Sequence, residues 1–448
     1  MKKLRNWLIG IVTVLVVIAI ATAVFVNSKP ESTLVAVADA TPADPHDAEY
    51  TQRLADCVAC HSTATGKPFA GGLKMGSPLG AIYSTNITPD KDTGIGNYTL
   101  ADFDLALRHG IAKDGHRLYP AMPYPSYAKL TDDDVKKLYD YFMHSVQPVN
   151  QANQPTEIPF PMNQRWPLAL WNVAFTSGGT YKPDPAHDDV WNRGAYLVQS
   201  LGHCGACHTE RGFAFNEVAL DQSNPAYLGG AMLDAWRAPT LRGDPDLGLG
   251  KWSEDEIVSF LKTGHNVHAT VFGSMLDAFN NSTSYMSDAD LTAIARYLKS
   301  LAGGSTTAQS TWVPDERTLV ALNSGDLDDP GSAQYMKQCQ SCHGRDGMGH
   351  ADQLPPLAGS ATVLDADPTS VINVILNGGG RIVANGVPDS YRMTPFRVLL
   401  KDQQIADLAT FIRGAWGNKA GPVTADQVAK LRDQTDPTSD HVVVLKMR

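Results

Sequence analysis

The pentapeptide Cys-x-x-Cys-His occurs three times, as Cys57-Val58-Ala59-Cys60-His61, Cys204-Gly205-Ala206-Cys207-His208 and Cys339-Gln340-Ser341-Cys342-His343. The three copies use all six cysteines of the chain, so no thiol remains for a disulfide or a nucleophile. The pattern is that of a c-type heme attachment site, in which both thiols bond to porphyrin vinyl groups and the adjacent histidine ligates the iron. Structural zinc would need four ligands per metal and would leave a histidine after every pair unexplained. The expectation is three covalently bound heme c groups, with His61, His208 and His343 as proximal iron ligands.

A chain of 448 residues has room for three domains of ordinary size. Its balance is acidic, with 37 basic against 47 acidic side chains and a formal charge of −10. Lys2, Lys3 and Arg5 lie outside the folded part, so the body is more acidic still, which argues against nucleic acid as a partner. After those basic residues the chain is apolar almost throughout from Trp7 to Val26. About 20 apolar residues suffice to cross a hydrocarbon core, and the basic flank sets the N-terminus in the cytoplasm. A cleaved signal peptide ending near Ala21-Thr22-Ala23 is the competing reading. The length of the run favours a retained anchor over residues 1–28. Either way the body is exported.

The motifs head three segments with the same order of signals, an internal repeat. A short helical pattern precedes each, at Ala48–Asp56, Trp191–Leu201 and Gly331–Gln338. A second helix follows each motif, opened by Thr99-Leu100-Ala101-Asp102 and Ser253-Glu254-Asp255-Glu256 as capping boxes, and less clearly by Asp367-Pro368-Thr369. These helices end at Gly110, Gly264 and Gly378. A third helix closes each segment, following Thr131, Ser287 and Lys401, with apolar residues at i, i+3, i+6 and i+7.

Between the second and third helices each segment holds a methionine in a comparable place. Met122 lies 12 residues after Gly110, Met275 lies 11 after Gly264 and Met393 lies 15 after Gly378. These are the expected second axial ligands, and methionine opposite histidine raises heme potential. Met75, Met143, Met232, Met286, Met336 and Met348 show no such register and are read as core or surface residues. His109, His265 and His268 keep bis-histidine ligation as the alternative, although they do not recur in register. His203 is read as a polar contact at the heme edge. The loops Ser84-Thr85-Asn86-Ile87-Thr88, Ala238-Pro239-Thr240-Leu241 and Leu354-Pro355-Pro356-Leu357-Ala358-Gly359 are read as sources of a carbonyl for the motif histidines, or as ordinary turn chemistry.

Residues 147–189 are rich in proline and carry Phe160, Trp166, Trp171, Phe175 and Tyr181, which reads as an ordered strap or a docking surface rather than a flexible linker. Residues 303–329 begin Gly-Gly-Ser-Thr-Thr and read as a true linker. A short helix, Thr424 to Arg432, precedes a tail ending Val442-Val443-Val444-Leu445.

At the level of motifs the chain resembles the triheme cytochrome c subunit of membrane-bound bacterial dehydrogenases, which serve alcohol, gluconate, sugar and aldehyde oxidising complexes. The resemblance spans about residues 46–435. It rests on Asp56 through His61, on Tyr83-Ser84-Thr85-Asn86-Ile87-Thr88-Pro89-Asp90, on Trp191-Asn192-Arg193-Gly194-Ala195-Tyr196-Leu197-Val198, and on Leu201 through Thr209. It implies a mainly α fold of three tandem class I cytochrome c-like domains, at 46–146, 190–302 and 330–418, after an N-terminal hydrophobic helix and with a C-terminal tail at 419–448. It also implies no substrate site on this chain. A flavin-, quinone-cofactor- or molybdenum-containing catalytic subunit would supply electrons, and ubiquinone or a terminal oxidase would take them, at the periplasmic face of the inner membrane. Ala48 departs from the glycine common in relatives two residues before Tyr50, which questions close helix packing in the first segment. The competing functional reading is a heme enzyme, a peroxidase or sulfur-compound oxidase with one open iron site.

Overall fold

The computed structural model describes residues 2–32, 34, 42–77, 79–176, 179–303, 310–350 and 353–438; the apolar tail end, Val442 to Leu445, lies outside them. Helix α1, Lys2–Asn27, comprises 26 residues. Side chains are described for part of it, and among the described residues no helix is long and apolar enough to cross a membrane.

The first segment runs α2 (Pro45–Ala55), α3 (Cys57–His61), a hairpin of β1 (Lys74–Ser77) and β2 (Gly80–Tyr83), α4 (Leu100–His109), α5 (Tyr124–Tyr127), α6 (Asp132–Asp140) and a π-helical turn, Tyr141–Ser145. After α7 (Leu168–Phe175) the second repeats the order: α8 (Asp189–Gln199), α9 (Gly205–His208), β3 (Ala231–Leu233) with β4 (Trp236–Ala238), α10 (Glu254–Thr263), α11 (Met275–Asn281) and α12 (Asp288–Ser300). The third has α13 (Arg317–Ser324), α14 (Pro330–Gln338), α15 (Gln340–His343), α16 (Ala361–Leu364), α17 (Thr369–Asn377), β5 (Val383–Ala384) with β6 (Val387–Pro388), α18 (Asp402–Gly414) and α19 (Ala425–Gln434). All three hairpins are antiparallel pairs. In the third segment the hairpin follows the second helix instead of preceding it, which accounts for the longer spacing between Gly378 and Met393.

Local chemistry explains the helix limits. The helices before the motifs begin earlier than their apolar patterns, because Asp44, Asp188 and Asp329 cap them and Pro45 and Pro330 occupy first-turn positions where no N–H is needed. Both expected capping boxes form: Thr99 and Asp102 exchange bonds of 3.1 and 2.9 Å, Ser253 and Glu256 of 3.1 and 2.7 Å. Lys401 has no side-chain acceptor, so α18 keeps half of the box, its N–H donating to Gln404 at 3.0 Å. Gly110 and Gly264 end α4 and α10 in the left-handed conformation. Gly378 has positive φ for another reason: a Cβ there would lie 2.5 Å from the Met393 carbonyl oxygen.

In each segment the helix before the motif crosses the closing helix. At Gly194 a Cβ would sit 1.9 Å from the Ala293 carbonyl oxygen, and at Gly331 one would sit 2.3 Å from that of Asp407. The α2–α6 crossing instead accommodates the buried methyl of Ala48. The departure noted in the sequence therefore leaves α2 packed against α6, with Ala48 buried.

The hydrophobic interior divides differently from the repeat. Leu54, Phe103, Leu138 and Phe142 of the first segment belong to one continuous core with Trp191, Leu197, Tyr227, Leu291 and Leu298 of the second. Polar contacts lock the same interface. Tyr50 donates to Asp290 at 2.8 Å, where Arg193 also docks through two bonds of 2.8 Å. Buried Lys129 reaches Gln199 and the Leu220 carbonyl at 2.9 and 2.6 Å. The third segment has its own core around Tyr335, Leu376, Leu408 and Val428. A small cluster of Val271, Leu276, Phe279 and Ile382 joins it to the second. The stretch read as a linker is only partly one: α13 lies within it and buries Leu322 in the third core, and Asp246 holds the N–H of Thr311 at 2.7 Å.

Gly194→Ala is expected to cost about 1–3 kcal/mol, the range for overpacking a tight interior, whereas Gly421→Ala, with nothing within 4 Å of the added methyl, should be near neutral. Thermal melting of the two variants checks this.

Candidate heme-binding sites

Each motif occupies one short helical turn, α3, α9 or α15. The Nδ1 of His61 lies 2.7 Å from the Thr85 carbonyl oxygen, that of His208 lies 2.8 Å from Pro239, and that of His343 lies 3.1 Å from Pro355. A carbonyl only accepts, so Nδ1 carries the proton and Nε2 keeps the lone pair. These are the loops from which carbonyls were expected. Burial lowers the pKa of all three imidazoles, against small opposing contributions from the carbonyls, which keeps them neutral as a metal ligand must be.

A further repeat, not noticed in the sequence, makes this geometry. Gly71, Gly230 and Gly349 each donate their N–H to the carbonyl of the motif histidine, at 2.8, 2.8 and 3.0 Å. All three have positive φ. A Cβ on Gly71 would lie 2.4 Å from the Thr85 carbonyl carbon, one on Gly230 3.0 Å from the Ala238 carbonyl oxygen, and one on Gly349 2.0 Å from that of Leu354. The absent side chain lets the loop that feeds Nδ1 close onto the motif. The signal was present as the dipeptides Gly71-Gly72 and Gly229-Gly230 and the glycines at 344, 347 and 349, at unequal distances from their motifs.

The cysteines are free. Burial pushes the thiols of Cys60, Cys204, Cys207 and Cys339 up to about 12. Nearby carboxylates, Asp56 and Asp234 beside Cys60 and Glu217 beside Cys204, act in the same direction. Among the described residues no group of three or more His, Cys, Asp or Glu side chains could hold a bare metal ion. The donor set fits a porphyrin attached through paired thiols and bound at iron by a neutral imidazole.

The first two motifs lie close together. Cys207 and Asp234 both act electrostatically on Cys60, and Asp234 acts on Cys207 as well. Asp234 forms the tip of the β3–β4 hairpin, and burial pushes its carboxyl up to about 6. Next to it, the Ala235 carbonyl accepts from Asn373 at 2.8 Å and Arg237 pairs with Asp365 at 3.3 Å. One hairpin thus bonds the third segment and acts electrostatically on the first. Helix α11, beginning at Met275, likewise touches both α3 and β5.

The methionines fall in three distinct surroundings. Met122 packs against the shared core, Met275 against the Val271–Ile382 cluster and Met393 against the third core. The bis-histidine alternatives have other partners: His265 faces Asp389 at 3.3 Å, while His268 faces Glu256 at 3.3 Å and stacks on Trp252. His203 sets its ring edge-on to Tyr127 at 5.6 Å, placing it in the interface between the first two segments. Met75 and Met232, taken as unregistered, occupy the second position of equivalent hairpin strands, a match hidden by loops of different length.

A family model for cytochrome c matches residues 329–416. Over 406 residues the chain is 50% identical to an alcohol dehydrogenase (quinone) cytochrome c subunit from Gluconacetobacter polyoxogenes, covering 90% of this chain and 86% of that one. It is also 50% identical over 396 residues to a gluconate 2-dehydrogenase cytochrome c subunit from Pantoea cypripedii, covering 86% and 89%. The chain belongs to the family of cytochrome c subunits of dehydrogenases. A fructose dehydrogenase cytochrome subunit from Gluconobacter japonicus is 41% identical over 419 residues, covering 88% and 84%. As a cytochrome c subunit the chain is an electron-transfer component rather than a catalytic subunit, and its family implies covalently bound heme c.

Outer-shell partners of a metal-bound histidine are worth about 10–100-fold in affinity or activity, and a tenfold change in a one-electron couple is about 59 mV. Gly349→Ala, which forces Pro355 away from His343, is expected to move one heme midpoint on that scale and leave the others in place. Spectroelectrochemical titration against Gly421→Ala checks it.

Proposed function

We propose that this chain is a triheme c-type cytochrome that carries electrons from a catalytic dehydrogenase subunit to ubiquinone or a terminal oxidase. Cys57, Cys60, Cys204, Cys207, Cys339 and Cys342 hold three heme c groups. His61, His208 and His343 are the proximal ligands, and Met122, Met275 and Met393 the distal ones. The observation that carries this reading is the threefold recurrence of a motif histidine with Nδ1 held by a backbone carbonyl and its own carbonyl held by a glycine. Bound heme c supplies a reversible one-electron couple whose potential is set by axial ligands, burial and outer-shell hydrogen bonds. The chain's residues attach, orient and shield it, and their shared packing keeps the three segments at constant separation. Electrons enter at one segment and leave at another without diffusion between steps.

The partner is a catalytic subunit of the flavin, quinone-cofactor or molybdenum type. The relatives' names include alcohol, gluconate and fructose dehydrogenases, which favours an alcohol, a sugar or a sugar acid as the oxidised substrate. Residues 1–28 serve as a retained anchor, with the body at the periplasmic face of the inner membrane. The run Trp7 to Val26 and its basic flank support this.

Protein made with heme-maturation machinery should retain three hemes per chain after denaturation, and changing either cysteine pair Cys57/Cys60 or Cys204/Cys207 to alanine should remove one. Fewer than three in the parent chain overturns the count. Replacing Met122, Met275 or Met393 singly should leave heme attached while lowering one potential or making one center high-spin, and replacing Met286 should do neither. The absorption band of methionine-ligated ferric heme and the redox titration report the outcome. A high-spin component in the parent protein would favour the heme-enzyme reading instead.

A further inference from the structure

The strap divides into an inward and an outward half. Trp171 meets the Tyr124 ring at 6.0 Å and donates its indole N–H to the Ala214 carbonyl at 2.8 Å. Tyr181 donates to Asn192 at 2.9 Å. These residues tie the first two segments together and are not free to dock a partner. Trp166, Leu170 and Val173, at i, i+4 and i+7, face solvent, and Phe160 and Met162 are exposed beside them. Phe213 is 95% exposed, and its ring lies 6.2 Å from Phe175 of α7, extending the same surface onto the second segment. Between Glu157 and Lys182 the only charged side chain in the sequence is Arg165. Its guanidinium is turned inward, 4.2 Å over the Tyr119 ring and bonded to the Arg117 carbonyl at 2.9 Å. An uncharged aromatic patch of this kind marks a surface that something apolar covers.

Its position says what covers it. The chain leaving α1 is stitched to the strap: Arg117 donates to the Ser28 carbonyl at 3.1 Å, Arg165 donates to Arg117, and the Tyr119 hydroxyl donates to the Met162 carbonyl at 3.3 Å. Helix α1 also touches α7. Helix α1, which exposes the apolar side chains of Trp7, Val12 and Leu15, therefore leads the chain directly to the strap. Resting on the reading of α1 as an anchor, we propose that the outward face of the strap, with Phe160, Trp166, Val173 and Phe213, lies in the headgroup region of the bilayer as a second membrane contact. Leu170 and Val173 on α7, Phe160 and Trp166 in the turns before it and Phe213 in the adjoining loop form one exposed apolar face, and the amphipathic indole of Trp166 suits that depth. The contact would hold the first two heme segments against the bilayer surface, within reach of a lipid-soluble quinone.

The test uses the full chain in vesicles of phosphatidylethanolamine and phosphatidylglycerol. A photo-cross-linking phenylalanine analogue is placed at Phe160, at Phe213 or, as control, at Val398, which is almost fully exposed in the third segment. The expected result is at least tenfold more lipid adduct at positions 160 and 213 than at 398, unaffected by high salt. Equal labelling at 398, or adducts to a co-purified dehydrogenase subunit in place of lipid, overturns the proposal. A diazirine-bearing phosphatidylethanolamine in the same vesicles separates it from the anchor reading. Label on α1 but not on 158–176 sinks the second contact alone, whereas no label on α1 sinks the anchor and the proposal with it.

Discussion

Each motif histidine has its Nδ1 held by a backbone carbonyl from a loop 24, 31 or 12 residues further on, which leaves Nε2 as the free ligand atom. That contact shapes every segment. The loop must return to within hydrogen-bonding distance of a single helical turn, closer than a Cβ would permit, so Gly71, Gly230 and Gly349 stand at the closure with positive φ. Two hydrogen bonds then run between loop and motif, one into the histidine ring and one from its carbonyl. The surrounding helices, crossed before and after the loop, provide the buried frame against which this closure is made.

The frame is repeated three times but not packed as three equal units. The first two segments share one interior, sealed by Lys129, Tyr50 and the Arg193–Asp290 pair. Removing one partner from such a buried polar contact leaves the other without its hydrogen bond, at a cost of about 1–3 kcal/mol, so the interface resists sliding. The third segment keeps a separate core and is joined through smaller contacts at the β3–β4 hairpin and at α11. Both joints lie beside motif or candidate residues: Asp234 acts electrostatically on Cys60 and Cys207, and α11 begins at Met275. A change in how the third segment seats would thus be felt next to the first two Cys-x-x-Cys-His motifs.

The strap shows how one stretch serves two environments. Leu170 and Val173 of α7 turn outward while Ala169 and Trp171 pack inward, so the same eight residues cement two segments and expose an apolar ridge. Of the aromatic stretch, only the outer half is left exposed.

Sequence alone pointed to covalently bound heme c, the cofactor that the cytochrome c family implies, because three Cys-x-x-Cys-His copies consume every cysteine. It also determined most helix ends, since capping boxes and C-terminal glycines act over three or four residues and need no tertiary partner. The Asp-Pro caps at 44–45 and 329–330 were equally local and were passed over because the apolar pattern begins later. What only the tertiary structure decided are relations across tens of residues. Gly71, Gly230 and Gly349 are equivalent by what they touch, yet their spacings from the motifs differ, so no fixed period reveals them. The shared core of the first two segments, α13 inside an apparent linker, and the inward turn of Trp171 and Tyr181 follow from which apolar faces found each other. An amphipathic pattern states that a face must be buried; the partner that buries it is chosen by the packing of the whole chain.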